Sequence, residues 1–124
     1  MPLPTAAELD ILAVLWRLGP ATVREVHNEL GKDSGYTTTQ KQMQLMLGKG
    51  LLVRTERFGA HVYEAGIPKE QTQRQIIGDL VDRAFEGSAS SLVMRALGTK
   101  PASAEELERI VKMIEAAKRG GKSE

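Results

Sequence analysis

Helical patterns between Thr5 and Gly50, a switch to strand-like alternation near Leu52, and a return to helical periodicity beyond Pro68 predict a mainly α chain. The order of elements is that of a winged helix-turn-helix, three helices and a two-stranded β-hairpin wing, followed by an α-helical dimerisation region. Thr5 opens the first helix: in TAAE the hydroxyl and Glu8, three positions on, can each satisfy a free backbone N–H. Leu9, Ile11, Leu12, Leu15, Trp16 and Leu18 then form a wide apolar stripe, which Gly19-Pro20 ends. Thr22 and Glu25 repeat the capping pattern in TVRE. Val23, Val26 and Leu30 follow at helical spacing, predicting a short helix over about 23–30 that GKDSG terminates.

A third start is expected at Thr37, with Gln40 in the capping-box position, and Gly50 behind Lys49 reads as the stop. Thr39, Met43, Met46 and Leu47 form its inward stripe. The period then changes. LLVRTER and HVYEA are β-branched and alternating about an FGA turn, which predicts a hairpin from Leu52 to Ala65. Gly66 to Pro68 reads as a joint between a winged-helix DNA-binding domain, 1–66, and a helical dimerisation domain, 67–124.

In that second domain Ile76, Ile77, Leu80, Val81, Ala84 and Phe85 mark a helix from Lys69 to Glu86. Leu92, Val93, Ala96 and Leu97 mark a short one, and Ser103 caps a last helix carrying Leu107, Ile110, Val111, Ile114 and Ala117. Three thin helices bury too little surface to offset ~1.5 kcal/mol of entropy per ordered residue. A symmetric homodimer is therefore expected, joined through Ile76, Leu80, Phe85, Leu92, Val93, Leu107, Ile110, Val111 and Ile114.

A length of 124 residues suits one core or a small domain with an appendage. Hydrophobic content of 41% and charged content of 27% are near globular averages, so disorder is expected only at the tail, Lys118 to Glu124. The absence of cysteine excludes disulfides, thiolate metal sites and cysteine nucleophiles. With no leader pattern and no apolar run of spanning length, the chain reads as cytoplasmic, without membrane insertion. Seventeen basic and sixteen acidic residues nearly cancel, but from Ser34 to Tyr63 Lys41, Lys49, Arg54 and Arg57 face one acid, Glu56. Such a local excess fits either an anionic partner or a solvated charged face.

The helical wheel of the third helix favours the partner. With Thr39, Met43, Met46 and Gly50 inward, Thr37, Lys41, Gln44 and Gly48 fall opposite, flanked by Thr38, Gln40 and Leu45. That face carries no acid. Gln can pair with adenine, Lys can reach guanine acceptors, and threonine or leucine can meet the thymine methyl in a major groove. The competing reading is that Thr37 to Gln40 only cap and the glutamines are solvated; the hairpin that follows, with Arg54 and Arg57, weighs against it. The expected DNA contacts are thus Thr37, Thr38, Lys41, Gln44 and Leu45 in the groove, with Tyr36 and Gln40 at its margin. Lys49, Arg54 and Arg57 are expected on backbone or minor groove, and Thr22 with Arg24 on a phosphate.

LPTAAELDILAVLWRLGPATVREV and YTTTQKQMQLMLGKGLLVR resemble the penicillinase-repressor (BlaI/MecI/CopY) family. The pattern is carried by Ala7-Glu8, Leu15-Trp16, Gly19-Pro20, Thr22 to Val26, Tyr36 to Thr38 and Lys49 to Leu52, and the order of elements agrees over most of the chain. The resemblance implies a dimeric winged-helix repressor on inverted-repeat operators, usually with TACA/TGTA-like half sites. It also implies derepression by a membrane-bound sensor protease or by copper through thiolates. Copper-thiolate sensing fails without cysteine, and Arg95-Ala96 stands where the family's scissile Asn-Phe aligns, which counts against the protease as a partner. Two further departures are Phe58-Gly59, where the family often has Gly-Arg, and Lys41, where many relatives carry a small or hydroxyl residue.

Other classes receive less support. His27 and His61 lack metal-ligand spacing, so no metal and no cofactor is expected. No phosphate loop or Ser-His-Asp arrangement suggests an enzyme. The serious rival is a winged helix used as a protein-interaction module without direct DNA reading.

Overall fold

The computed structural model describes residues 3–31 and 35–120. Two compact units make up the chain, Met1–Gly78 and Asp79–Glu124. Its elements are α1 (Ala6–Leu18), α2 (Val23–Leu30), α3 (Tyr36–Gly48), β1 (Leu52–Arg57), β2 (Ala60–Ala65), α4 (Lys69–Ala84), α5 (Ala89–Thr99) and α6 (Ala104–Gly120). Three helices and an antiparallel hairpin, followed by further helices, form a winged helix with a helical C-terminal region.

Local chemistry starts the first two helices where the sequence expects. Thr5 Oγ1 accepts from the Glu8 amide at 3.2 Å while Glu8 Oε1 accepts from the Thr5 amide at 2.9 Å. Thr22 and Glu25 make the same reciprocal pair at 3.1 and 2.8 Å. Each box satisfies two orphan donors and stabilises its helix by about 1 kcal/mol. The GKDSG terminator lies largely outside the described residues; the chain leaves α2 through Gly31 in the left-handed region.

α3 begins differently from the expectation. Gly35 is the N-cap, with no side-chain hydrogen bond to the helix, so Thr37 lies inside the first turn and does not cap it. At the other end Lys49 is the C-cap and Gly50 follows at φ 83. The Leu51 amide donates to the Met46 carbonyl at 3.0 Å and the Gly50 amide to Leu47 at 3.1 Å, the paired bonds of a Schellman stop. Gly50 therefore lies beyond the helix and is exposed, not part of its inward stripe.

β1 and β2 pair in register from Leu52 opposite Ala65 to Arg57 opposite Ala60. The turn between them holds Phe58 at φ 54 and Gly59 at φ 79, the twist-matched I′ arrangement of a two-residue hairpin. Ala21 adds a short third rung: its amide donates to Tyr63 O at 2.9 Å, and the Tyr63 amide donates back at 2.8 Å.

The core joins α1 (Ile11, Leu12, Val14, Leu15), α2 (Val23, Val26), α3 (Met43, Met46) and the hairpin (Leu52, Tyr63), with Leu51 from the turn. Trp16 sits at its edge, half-buried, because its indole N–H needs a partner; Nε1 donates to the Ile67 carbonyl at 3.1 Å. Glu8 is only 3% exposed. Lys49 Nζ donates to its Oε2, pinning the end of α3 to the start of α1. That ammonium, followed by the Thr5 amide, holds the Glu8 carboxyl below the usual carboxylate range, against a burial effect of opposite sign.

α4 ends at Ala84, two residues before the expected Glu86, because Glu86 (φ 52) and Gly87 (φ 81) turn the chain in the left-handed region. Ser88 then caps α5 through the Ser91 amide at 3.1 Å, and Ser103 with Glu106 forms a capping box on α6. α6 continues to Gly120, so Lys118 to Gly120, expected to be disordered, are helical; Lys118 and Arg119 suit the negative end of the helix dipole. The rest of that tail lies outside the described residues.

Candidate nucleic-acid interface

Burial divides α3 cleanly. Thr39, Met43 and Met46 are buried, whereas Thr37, Thr38, Lys41, Gln44 and Leu45 are exposed and Gln40 and Tyr36 are half-buried. The exposed stripe has the hydroxyls, amide, cation and apolar contact expected of it, and no acid. Leu45 is 55% exposed, a large aliphatic side chain left in water on an otherwise polar face.

Side chains between α2 and α3 fix the angle of this helix. Arg24 Cζ lies 4.2 Å from the centroid of the Tyr36 ring, a cation–π contact. His27 meets the same ring edge-on at 6.0 Å. Its Nδ1 is 2.8 Å from the Thr39 hydroxyl, so the imidazole ties two helices together. These contacts join residues on different helices, so spacing along the chain gives no sign of them.

The hairpin supplies the other wall. Residues directly opposite in an antiparallel pair share a face, which puts Arg54 with Tyr63 and Glu56 with His61 on one side, and Arg57 with Ala60 on the other. Arg54, His61 and Gly59 line an open groove with Gln40, Gln44 and Tyr36. Arg57 lies on the opposite face, its Nη2 3.5 Å from the Pro20 carbonyl. The two wing cations therefore flank the ribbon. His61 Nε2 is 3.4 Å from Glu56 Oε2, a cross-strand pair on the groove side.

Two expected phosphate contacts have other work. The Thr22 hydroxyl accepts from the Glu25 amide and the Glu25 carboxylate occupies the Thr22 amide, so an acid already stands at the start of α2. Lys49 is the partner of Glu8. By contrast, no side chain among the described residues caps the first turn of α3.

The residues expected to join two copies are distributed over both units. Ile76 lines a groove with Leu9, Ala13 and Trp16 of α1. In Asp79–Glu124 no described residue is buried. Leu80, Val93, Leu107, Val111 and Ile114 are exposed, at 40% or more of their surface, and Phe85, Leu92 and Ile110 are half-buried.

A winged helix that presents an acid-free, amide- and hydroxyl-bearing third helix has the architecture of a transcription regulator. The chain belongs to the penicillinase repressor family, whose sequence profile matches residues 4–116. It is also 25% identical over 117 residues to a penicillinase repressor of Bacillus licheniformis, covering 93% of this chain and 91% of that protein. Membership supports a role in transcriptional repression. Among the described residues, no helix is long and apolar enough to cross a membrane.

Proposed function

We propose that the protein is a sequence-specific DNA-binding repressor that acts as a homodimer on inverted-repeat operators. The observation that carries the proposal is the exposed face of α3, with Thr37, Lys41 and Gln44 aligned, no acid on it, and Arg54 of the hairpin on its neighbour wall. In this reading Thr37, Thr38, Lys41, Gln44 and Leu45 meet base edges, with Gln40 and Tyr36 at the margin. Arg24, Arg54 and Arg57, with the leading amides of α3, hold the backbone; the phosphate roles expected of Thr22 and Lys49 pass largely to them. Residues 1–66 bind DNA and 67–124 pair the two copies, for which the unburied apolar residues of α5 and α6 are the support. Derepression by a membrane-bound sensor protease has no support in Arg95-Ala96.

Affinity measured on an inverted-repeat duplex and on random duplex separates these roles. Lys41→Ala and Gln44→Ala are expected to lose ~1–3 kcal/mol each on the specific site and little on random DNA. Arg54→Ala is expected to weaken both alike and to reduce the salt slope by about one. Equal losses on both duplexes for the α3 variants contradict the assignment. A protein-interaction module would bind neither duplex with the steep salt dependence of phosphate contacts.

A further inference from the structure

The tip of the wing carries a cost that nothing among the described residues repays. Phe58 takes the first position of the I′ turn at φ 54, a conformation that suits Asn, Asp or Gly and that a bulky side chain rarely adopts. Its ring is also fully exposed, at 101% of its reference surface, so it packs against none of the described residues. Strained backbone and an aromatic face in water coincide at one residue. Its neighbour Gly59 lines the groove walled by Gln40 and Gln44 of α3, which puts the ring at the lip of the candidate DNA face.

From these facts we infer that Phe58 is a minor-groove wedge, a role that rests on the proposed DNA reading and deepens it. The tip lies beside Gln40 and Gln44 of α3, so with α3 in a major groove it stands at the phosphate backbone that separates that groove from the adjoining minor groove. Arg54 and Arg57 lie on the hairpin's two faces and meet the two phosphate strands that wall that minor groove, while the apolar tip between them enters it. Apolar side chains placed there part stacked bases, and pyrimidine–purine steps yield at least cost. The ligand class is thus a duplex with a flexible TA or CA/TG step flanking each half site.

Phe58→Asn tests this, because Asn keeps the I′ turn and removes the ring. On a duplex enriched from a random pool by the wild-type protein, the variant is expected to bind about tenfold more weakly. Its hydroxyl-radical protection beside the half site should disappear, while protection of guanine N7 under α3 persists. Its melting temperature should hold or rise by a few degrees as strain is relieved. Phe58→Leu, still an apolar wedge, should retain most of the flanking protection. Unchanged affinity and unchanged minor-groove protection in Phe58→Asn would overturn the wedge and leave the DNA reading standing. A wild-type protein that enriches no duplex and binds none overturns both.

Discussion

The unit Met1–Gly78 closes a core around Leu12, Val26, Met43 and Met46, whereas Asp79–Glu124 buries no described residue. Both are rich in well-formed helix, with capping boxes at Thr5, Thr22 and Ser103 alike. Good local structure is thus common to them, and burial is not. Helix caps contribute about 1 kcal/mol each, but a domain stands on apolar area removed from water. One unit has that area within itself; the other leaves Leu107, Val111 and Ile114 exposed, which is what the proposed pairing of two copies would cover.

The largest effect that would sharpen this contrast comes from α6. Ile110→Glu combined with Ile114→Glu is expected to give monomers in sedimentation and to lower operator affinity by ~10²-fold or more, as two linked half sites become one. A dimer of unchanged mass would place the interface elsewhere.

Next is the closed core. Met46 is fully buried, so Met46→Ala should cost ~2–5 kcal/mol. The melting transition of the first unit should drop without depending on protein concentration, while that of the C-terminal helices should rise with concentration by mass action. If both transitions respond to concentration in the same way, the contrast between the units fails.

Smaller still is the pin between α1 and α3. The folded-state pKa of Glu8 lies below its unfolded value, so its charge stabilises the fold above the ordinary carboxylate range. That contribution is lost as pH falls through the folded pKa. Glu8→Gln is expected to cost about 1–2 kcal/mol near neutrality, modest because Lys49 is half in water. The difference from wild type should shrink as acid is added. A constant difference from neutral pH to well below the carboxylate range would remove the ion pair from the explanation.

What the sequence made legible follows the range of the interactions involved. The boxes at Thr5–Glu8 and Thr22–Glu25 span three residues and were readable as words, as were the hairpin and the polar stripe of α3. The start of α3 departs from the expectation because Gly35 is the N-cap, while the hydroxyl of Thr37 imitates a capping residue. Pairings across the fold left no local trace: Lys49 with Glu8, Ala21 with Tyr63, and His27 with Thr39 each depend on the packing of separate elements. The FGA turn was visible, yet the positive φ of Phe58 and its bare ring appear only once the hairpin is built.

The central claim is that two copies of the α3 face read DNA as a symmetric pair. Selection of bound sequences from a random duplex pool by the full-length protein tests it most directly. The expected result is a palindrome whose half sites repeat at about one helical turn or a multiple of it. Enrichment of no sequence, or of an unpaired half site alone, would contradict it.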